Sequence, residues 1–195
     1  MKSKKLRIGI IILSVVVGLV LLTGLQNYYK AWVFQAYKMP SGSMQPTLLV
    51  GDHFFADKSI KNLKEIQRGD VIIFAYPVDP RKDFVKRVIG MPGDTIEIKD
   101  KNLYINGELY PEEYVIHSDQ SIFPAKRNPR DNFGPVAVPM NALFVLGDNR
   151  DESNDSRFFG FVEESKVKGR ATTIYWSWDK NHHSARWDRI GKRIR

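Results

Sequence analysis

The sequence predicts a mostly β domain that follows a single N-terminal membrane-spanning helix. Residues 8–25 form one long uncharged apolar run, close to the length that a bilayer core requires. From about residue 50 onward, short runs rich in Val, Ile, Phe and Tyr alternate with Gly, Asp, Asn and Pro, which is typical of β proteins. The 195 residues, 43% hydrophobic and 27% charged, suit one folded domain with an appendage.

The apolar run 8–25 has the features of a retained membrane anchor. Only Ser14 and Thr23 are polar within it, and its 18 residues would span about 27 Å as a helix. Four Lys or Arg residues precede the run and two follow it, which favours a cytoplasmic N-terminus and an exported main domain. The alternative is a cleavable secretory signal, which has a shorter apolar region that ends in a small-x-small site. No Ala-x-Ala follows this run at the expected distance, so an anchor is favoured.

We therefore divide the chain into a basic cytoplasmic N-terminus at 1–7, the anchor at 8–25, a main extracytoplasmic domain at 26–179 and a basic C-terminal tail at 180–195. Residues 108–137 contain four prolines and show no clean period, so we expect an irregular excursion there. The tail is expected to lie over the surface or near lipid headgroups. A solvated tail is the alternative.

Alternation of apolar and polar residues predicts the strands of the main domain. They are expected at 52–57, 70–76, 83–89, 94–99, 102–105, 142–146 and 171–177. Asn106-Gly107 and the segment 100–102 suit tight turns between strands. Helix signals are weak, with two turns expected at 59–67 and one or two at 162–168.

The distribution of charge argues against nucleic-acid binding, although the net charge is +8. Residues 1–30 carry five Lys or Arg and no acid, and residues 180–195 carry six against Asp188 alone. The middle of the chain is thus slightly acidic and lacks the basic stripe of a nucleic-acid-binding face. The chain has no cysteine, which excludes disulfides, thiolate chemistry and zinc sites built on cysteine.

Ser43 is the candidate nucleophile. It lies in the segment SGSMQPTL at 41–48, a short distance after the apolar run. None of the four histidines stands in a recognisable arrangement with a serine and a carboxylate. A Ser-His-Asp triad is recognised by geometry and not by order, so it stays open as an alternative. A lysine base is the better candidate.

Lys86 is the lysine that could act as this base. It lies in the strand-forming segment DFVKRVI at 83–89, where alternation places it on the same face as Phe84 and Val88. Apolar surroundings would lower its pKa from the ordinary value of about 10.4. A lysine on an apolar face breaks a local rule, and such departures are expected at functional sites. The alternative is an edge-strand lysine that discourages aggregation.

A third polar cluster, GDNRDESNDSR at 147–157, follows the apolar run 142–146. One interpretation is a loop of turn-forming residues that satisfy each other's hydrogen bonds. Another is a calcium loop, but Arg150 occupies a position where an EF-hand needs a ligand. A network of ion pairs and hydrogen bonds that supports a catalytic lysine fits this composition better.

Together these three clusters resemble the bacterial type I signal peptidases, which are membrane-bound Ser-Lys endopeptidases that remove signal peptides from exported proteins. The similarity runs through PSGSM-x-PTL at 40–48 and KRVIGMPGD at 86–94, and order and spacing agree over roughly 34–178. It also includes GDNRD at 147–151 together with Ser153, Asp155, Ser156 and Arg157. The resemblance implies a signal-peptidase and LexA-like β catalytic domain, preceded here by one N-terminal transmembrane helix. This architecture is shared with the LexA-type self-cleaving repressors.

The resemblance also implies how the catalytic groups work. Ser43 would be the nucleophile and Lys86 the general base. The amide of Ser43 and the hydroxyl of Ser41 would form the oxyanion hole, which stabilises the charge that develops during acyl transfer.

Further residues match the supporting and substrate-binding positions of the family. Ser153 would hold the lysine amine in place, and Asp155 and Arg157 would brace the site. The segment from Tyr37 to Ser41 would pair with an extended substrate as a strand does. Small-residue pockets would be lined by Met39, Pro40, Met44, Leu48, Phe84 and Val85.

The function implied is a membrane-anchored serine endopeptidase that cleaves preproteins after small residues of the Ala-x-Ala type. Its partners would be preprotein substrates and the lipid bilayer, with no nucleic acid, metal or cofactor, and it would work as a monomer. A LexA-like self-cleaving regulator is an alternative that would need an N-terminal DNA-binding region where this chain has its apolar run. A non-catalytic, membrane-tethered β domain is another, but it would be expected to lack the serine or the lysine.

Overall fold

The structure is a computed structural model that describes residues 2–60 and 62–195. Helix α1 extends over Lys2–Val33 and contains the run predicted as an anchor, and most of its side chains between 11 and 25 are exposed. None of the helices in the described residues has the combination of length and hydropathy that crossing a membrane demands. The anchor at 8–25 therefore stays a prediction.

Strands dominate the chain after α1, as the sequence predicts. The described residues form β1 (Phe34–Lys38), β2 (Asp52–Asp57), β3 (Val71–Ala75), β4 (Asp83–Gly90), β5 (Thr95–Lys99), β6 (Asn102–Ile105), β7 (Glu108–Leu109), β8 (Phe133–Ala137), β9 (Ala142–Leu146), β10 (Val162–Glu163), β11 (Val167–Asp179) and β12 (Ser184–Ala185). A short helix, α2 (Ser156–Phe159), lies between β9 and β10. The mostly β fold class is confirmed.

A large antiparallel sheet carries the candidate base. In the described chain its strand order is β1-β2-β11-β3-β4-β9-β10, with β12 added to β11. Strand β4 therefore lies inside the sheet, where Ile72 of β3 stands opposite Lys86 and Leu146 of β9 stands opposite Arg87. The alternative of an edge-strand lysine is wrong, because β4 is hydrogen-bonded on both sides.

A second sheet has the order β7-β6-β5-β8 in the described residues. Both tight turns predicted for it are confirmed. Asp100 and Lys101 have φ values of 47° and 69° between β5 and β6, and Asn106 and Gly107 have values of 56° and 86° between β6 and β7. Left-handed backbone at two central residues is the conformation that two-residue hairpin turns need, and asparagine and glycine adopt it readily.

Three clusters of buried apolar side chains form the core. The first joins β2, β3 and β11 to the segment after β1, and it includes Met39, Met44, Leu48, Phe54, Ile73 and Val85. The second lies against β3, β4 and β9 and includes Ile72, Phe74, Val88, Leu143 and Val145. The third joins the two sheets and includes Ile89, Ile96, Leu103, Phe144 and Leu146. Strand β4 contributes to all three clusters, which holds its polar side chains at the centre of the domain.

The helical turns expected at 59–67 and 162–168 are not α-helical in the structure. The described residues of the segment 59–67 contain only a single 3₁₀ turn, at Leu63–Glu65, and 162–168 holds β10 followed by a 3₁₀ turn at Glu164–Lys166. The excursion 108–137 contributes β7 and β8 at its ends, because these short segments complete the second sheet. Sequence alternation did not reveal them, since β7 has two residues and β8 contains a proline.

The C-terminal tail at 180–195 packs against the domain, so the alternative of a solvated tail is wrong. Strand β12 pairs with the end of β11, and Gly191 and Ile194 donate backbone hydrogen bonds to Ile174 and Thr172, each of 2.8 Å. Arg189 is 6% exposed. Backbone pairing with β11 and this buried side chain hold the tail in place.

Candidate active site

Ser43 lies in the segment 39–52, which follows β1 and ends at the first residue of β2 and which we call the serine loop. Met44 and Leu48 point into the first core cluster and are fully buried. The backbone closes on itself through bonds from Gln45 N to Gly42 O, 3.1 Å, and from Leu48 N to Met44 O, 2.8 Å. These two apolar anchors and local hydrogen bonds hold the serine loop in one conformation.

Ser43 and Lys86 are in direct contact although 43 positions separate them in the sequence. The Lys86 Nζ atom donates to Ser43 Oγ at 2.6 Å. Ser41 Oγ lies 3.3 Å from Ser43 Oγ, close enough to share a hydrogen bond. Ser43 is 7% exposed and Lys86 is 4% exposed, so this contact is largely shielded from water.

Burial is the main influence on the Lys86 amine. It lowers the pKa of Lys86 from 10.5 to about 8, with nearby Asp155 and Asp148 opposing the shift and Arg157 adding to it. The ring of Phe84 lies 5.6 Å from Nζ, as expected for neighbours on one strand face. With this pKa, roughly a tenth of the molecules carry the neutral amine at pH 7, whereas an ordinary lysine is almost entirely charged.

Gly147 and Ser153 pack against the backbone of Ser43. A Cβ atom at Gly147 would lie 2.2 Å from Ser153 Oγ and 2.4 Å from the carbonyl oxygen of Ser43, so only glycine fits. Ser153 Oγ is buried and makes no hydrogen bond of good geometry among the described residues, although its hydroxyl lies near enough to Asp155 to help lower the pKa of that carboxyl. The predicted contact between Ser153 and the amine of Lys86 is thus not a hydrogen bond in this structure, although Ser153 lies beside the serine loop.

Asp155 and Arg157 form a buried ion pair next to the lysine. Arg157 Nε and Nη2 each donate to the Asp155 carboxylate at 2.8 Å, and Arg157 also donates to the carbonyl oxygens of Arg130 and Arg150 at 2.6 Å. Burial opposes ionisation of Asp155, but the Arg157 charge and its hydrogen bonds outweigh burial and hold the pKa of that carboxyl below its ordinary value. Asp155 also caps α2, so the pair joins the helix to the site.

Arg87 and Asp148 form a second buried pair that sequence reasoning missed. Two bonds of 2.8 and 2.6 Å join the guanidinium to the carboxylate, and both side chains are at most 2% exposed. Arg87 Nη2 also donates to Thr47 Oγ1 at 3.1 Å, which ties β4 to the serine loop. The sequence did contain a signal for this pair: Arg87 is a second cation, beside Lys86, inside the apolar strand β4, and Asp148 lies two residues after the end of β9.

Asn149 is a further residue that the sequence did not single out. Its backbone N–H donates to the carbonyl oxygen of Ser43 at 3.2 Å, and its side-chain Nδ2 donates to that of Gly42 at 3.3 Å. The two contacts hold the carbonyl groups on either side of Ser43, those of the Gly42–Ser43 and Ser43–Met44 peptides. The polar cluster 147–157 therefore supports the serine as well as the lysine.

A cleft of about 310 Å³ opens over Ser43 and Lys86. Of the predicted substrate-binding residues, Met39, Pro40, Phe84 and Val85 line it together with Ser41, Asp83, Glu152 and Asn154. The others do not: Met44 and Leu48 are fully buried in the core, and Tyr37 packs on that core with its ring 6.0 Å from Phe54. Met44 and Leu48 thus hold the serine loop in place and do not form a pocket wall.

The histidines lie with other partners. His53 packs edge-on against Tyr175 at 5.9 Å, His117 contacts Asp151 at 3.5 Å and His182 contacts Asp179 at 3.1 Å. The side-chain partners of Ser43 are Lys86 and Ser41, so the geometry does not support the Ser-His-Asp alternative. Among the residues that the structure describes, no three His, Asp or Glu side chains are grouped as metal ligands.

Comparisons with known proteins show the family to which the chain belongs. The model of the family described as signal peptidase, peptidase S26, matches residues 10–176. The chain is 34% identical over 169 residues to a probable signal peptidase I-2 of Synechocystis sp., which covers 84% of this chain and 71% of that protein. It is 34% identical over 171 residues to a signal peptidase I of Bacillus licheniformis, with 87% of each chain covered. A crystal structure of a signal peptidase I from Enterococcus faecalis V583 matches 57% of this chain and 98% of its own, at 38% identity and a TM-score of 0.45.

The family match and these relatives define a peptidase, and so a hydrolase. The chain belongs to the signal peptidase family S26, in which it resembles the bacterial type I enzymes throughout the matched length. Type I signal peptidases remove signal peptides from preproteins. The alternative of a non-catalytic β domain is therefore wrong.

Proposed function

We propose that this signal peptidase cleaves preproteins with a Ser-Lys dyad in which Ser43 is the nucleophile and Lys86 the general base. The observation that supports the proposal is the 2.6 Å contact between Lys86 Nζ and Ser43 Oγ, combined with a lysine pKa lowered to about 8. A neutral amine at this distance can accept the hydroxyl proton as Oγ attacks the scissile carbonyl. The resulting ammonium then protonates the leaving amine, and a water activated by Lys86 hydrolyses the acyl-enzyme.

The proposed oxyanion hole consists of the backbone N–H of Ser43 and the hydroxyl of Ser41. Among the described residues no acceptor takes the Ser43 N–H, so it is free to donate to a developing oxyanion. Ser41 Oγ lies 3.3 Å from the nucleophile, and this distance supports a position beside the carbon that would become tetrahedral. Donors fixed in advance at such a position stabilise the transition state more than the substrate.

The buried polar groups would keep this pair in position. In the proposal Ser153 orients the lysine amine once substrate closes the site, and Asp155 and Arg157 hold the polar cluster against the serine loop. The ion pair between Asp155 and Arg157 supports this role, because a buried pair with good geometry fixes the backbone on both sides of it.

Substrate would bind as an extended strand along the segment from Tyr37 to Ser41. Strand β1 is the terminal strand of the large sheet, so its outer edge is available for backbone pairing. Phe84 and Val85 line the cleft beside it. We propose that these two side chains restrict the cleft to small side chains at the −1 and −3 positions, as in an Ala-x-Ala site.

A membrane anchor at 8–25 completes the proposed function. Its support is the absence of charge from the run, together with the charge bias of its flanks. The N-terminus would be cytoplasmic and the catalytic domain would face the opposite side. A chain anchored in this way would need no metal, cofactor or second copy for the chemistry proposed here.

The test is cleavage of a preprotein by the purified full-length protein in detergent. Ser43→Ala and Lys86→Ala are each expected to abolish release of the mature protein, because one removes the attacking oxygen and the other removes the base. The matched controls are Ser165→Ala and Lys58→Ala, which change exposed residues of the same types. Normal cleavage by either site variant would rule out the dyad.

A further inference from the structure

The C-terminal tail reaches the underside of the serine loop. The family match ends at residue 176, so the tail at 180–195 lies outside it. Two tail arginines nevertheless contact the loop that carries Ser43. Arg186 Nη1 donates to the carbonyl oxygen of Val50 at 3.1 Å, and Arg189 Nη2 donates to that of Thr47 at 2.8 Å.

Arg189 also forms a buried ion pair with Asp52, the last residue of the serine loop. Nη2 lies 2.5 Å from Asp52 Oδ2, and Nε lies 3.1 and 3.2 Å from the two carboxylate oxygens. The side chains are 8% and 0% exposed. A carboxylate that is removed from water depends on such a partner, because an unpaired buried charge is strongly unfavourable.

Asp52 in turn holds both ends of the serine loop. Its Oδ2 accepts from the backbone N–H of Leu49 at 2.8 Å, and its own carbonyl oxygen accepts from Met39 N at 2.8 Å. Ser177 Oγ donates to Oδ1 at 2.6 Å from β11. Through its ion pair with Asp52, Arg189 therefore helps to fix the backbone conformation of the serine loop between Met39 and Leu49.

We propose that Arg189 is a positioning residue for the nucleophile, so that the C-terminal tail is a working part of the active site. The inference depends on the proposed function of Ser43. Arg189 touches neither Ser43 nor the cleft, and it acts through Thr47 and Asp52. Displacement of a reacting atom by about 1 Å can lower a rate on the order of 100-fold. Loss of the tail arginine should therefore lower kcat more than it changes KM.

Three variants of the full-length protein test this role. Arg189→Ala is expected to reduce kcat about 100-fold with a small change in KM. Arg189→Lys should give an intermediate kcat, since an ammonium can pair with Asp52 but cannot donate to Thr47 O in the same fork geometry. Lys192→Ala is the control, because it removes an exposed positive charge from the same tail. It should behave as the unaltered protein.

Chemical rescue separates positioning from a general loss of stability. Guanidinium at concentrations that leave the fold intact should restore part of the kcat of Arg189→Ala, and sodium at the same ionic strength should not. The folded fraction is followed by circular dichroism in the same buffers. The pH at which kcat/KM reaches half its maximum should not move, because Arg189 does not contact Lys86.

The outcomes are distinct. An unchanged kcat in folded Arg189→Ala would overturn the positioning role, and so would a loss that follows the unfolded fraction and is not rescued by guanidinium. Activity retained by Ser43→Ala would instead refute the proposed nucleophile, whatever the tail variants do. Ser43→Ala without activity, together with guanidinium-dependent recovery of Arg189→Ala, would support both proposals.

Discussion

Replacing Lys86 with methionine should inactivate the protein and at the same time stabilise it at neutral pH. The pKa of Lys86 is about 8 in the folded state, against an ordinary 10.5. The folded state therefore disfavours the ammonium form by roughly 3 kcal/mol, from about 1.4 kcal/mol for each pH unit. Methionine has a similar length and no charge, so it removes this penalty. It also removes the bond to Ser43, which contributes about 1 kcal/mol.

The difference in free energy of unfolding between Lys86→Met and the unaltered protein depends on pH. Below pH 8 the lysine is protonated in both states, and the full penalty lowers the free energy of unfolding. Between about 8 and 10.5 the unfolded chain binds more protons than the folded one, so the stability of the unaltered protein rises with pH. Lys86→Met should be about 2 kcal/mol more stable at pH 7 and equal or slightly less stable above pH 10.5.

Urea unfolding in detergent, followed at several pH values, measures this difference. Lys58→Met is the matched control, because Lys58 is exposed and its amine remains in water. It should change the free energy of unfolding little at any pH. If Lys86→Met were less stable than the unaltered protein at pH 7, or if the difference between them did not change with pH, the lysine would not be held in an unfavourable charged state.

The remaining predictions concern rate and packing. Below pH 8, kcat/KM should fall about tenfold for each pH unit as Lys86 becomes protonated, and a profile that stays flat to pH 6 would contradict a lysine base. Gly147→Ala should abolish processing, since its Cβ would lie 2.4 Å from the carbonyl oxygen of Ser43, and wild-type rates in this variant would show that the loop can move. Asp155→Asn leaves Arg157 buried without its counter-charge, so it should lower the free energy of unfolding in urea by about 3–5 kcal/mol. Because the Asp155 charge raises the pKa of Lys86, the same change should also shift the ascending limb of the kcat/KM profile to lower pH.

Local patterns in the sequence were sufficient for the parts of the fold that depend on neighbouring residues. Strands β2, β6 and β9 begin and end at the predicted residues, because apolar alternation and turn formers define them locally. Both hairpin turns followed from residue types that accept a positive φ. The apolar face of β4 marked Lys86 as unusual, and the structure places it 2.6 Å from the predicted partner, Ser43.

Contacts between distant segments had no such signal. The pairs Arg87–Asp148 and Arg189–Asp52 join residues 61 and 137 positions apart. Arg87 stands out as a cation in an apolar strand, but nothing in that strand identifies Asp148 as its partner, and Arg189 and Asp52 look like ordinary polar residues in their own segments. The same limit explains Met44 and Leu48. The family resemblance implied that both line a pocket, yet the fold of the serine loop turns both side chains into the core.

The sequence by itself therefore determined which groups could react, since a serine, a lysine with apolar neighbours and a polar cluster are properties of short segments. Only the tertiary structure decided how these groups are held. The energy of a buried charge depends on its solvation and on the partner it meets, and both are set by segments that come together only when the sheets form. For this reason Lys86 was visible as a candidate base in the sequence, whereas Arg189 in the tail was not.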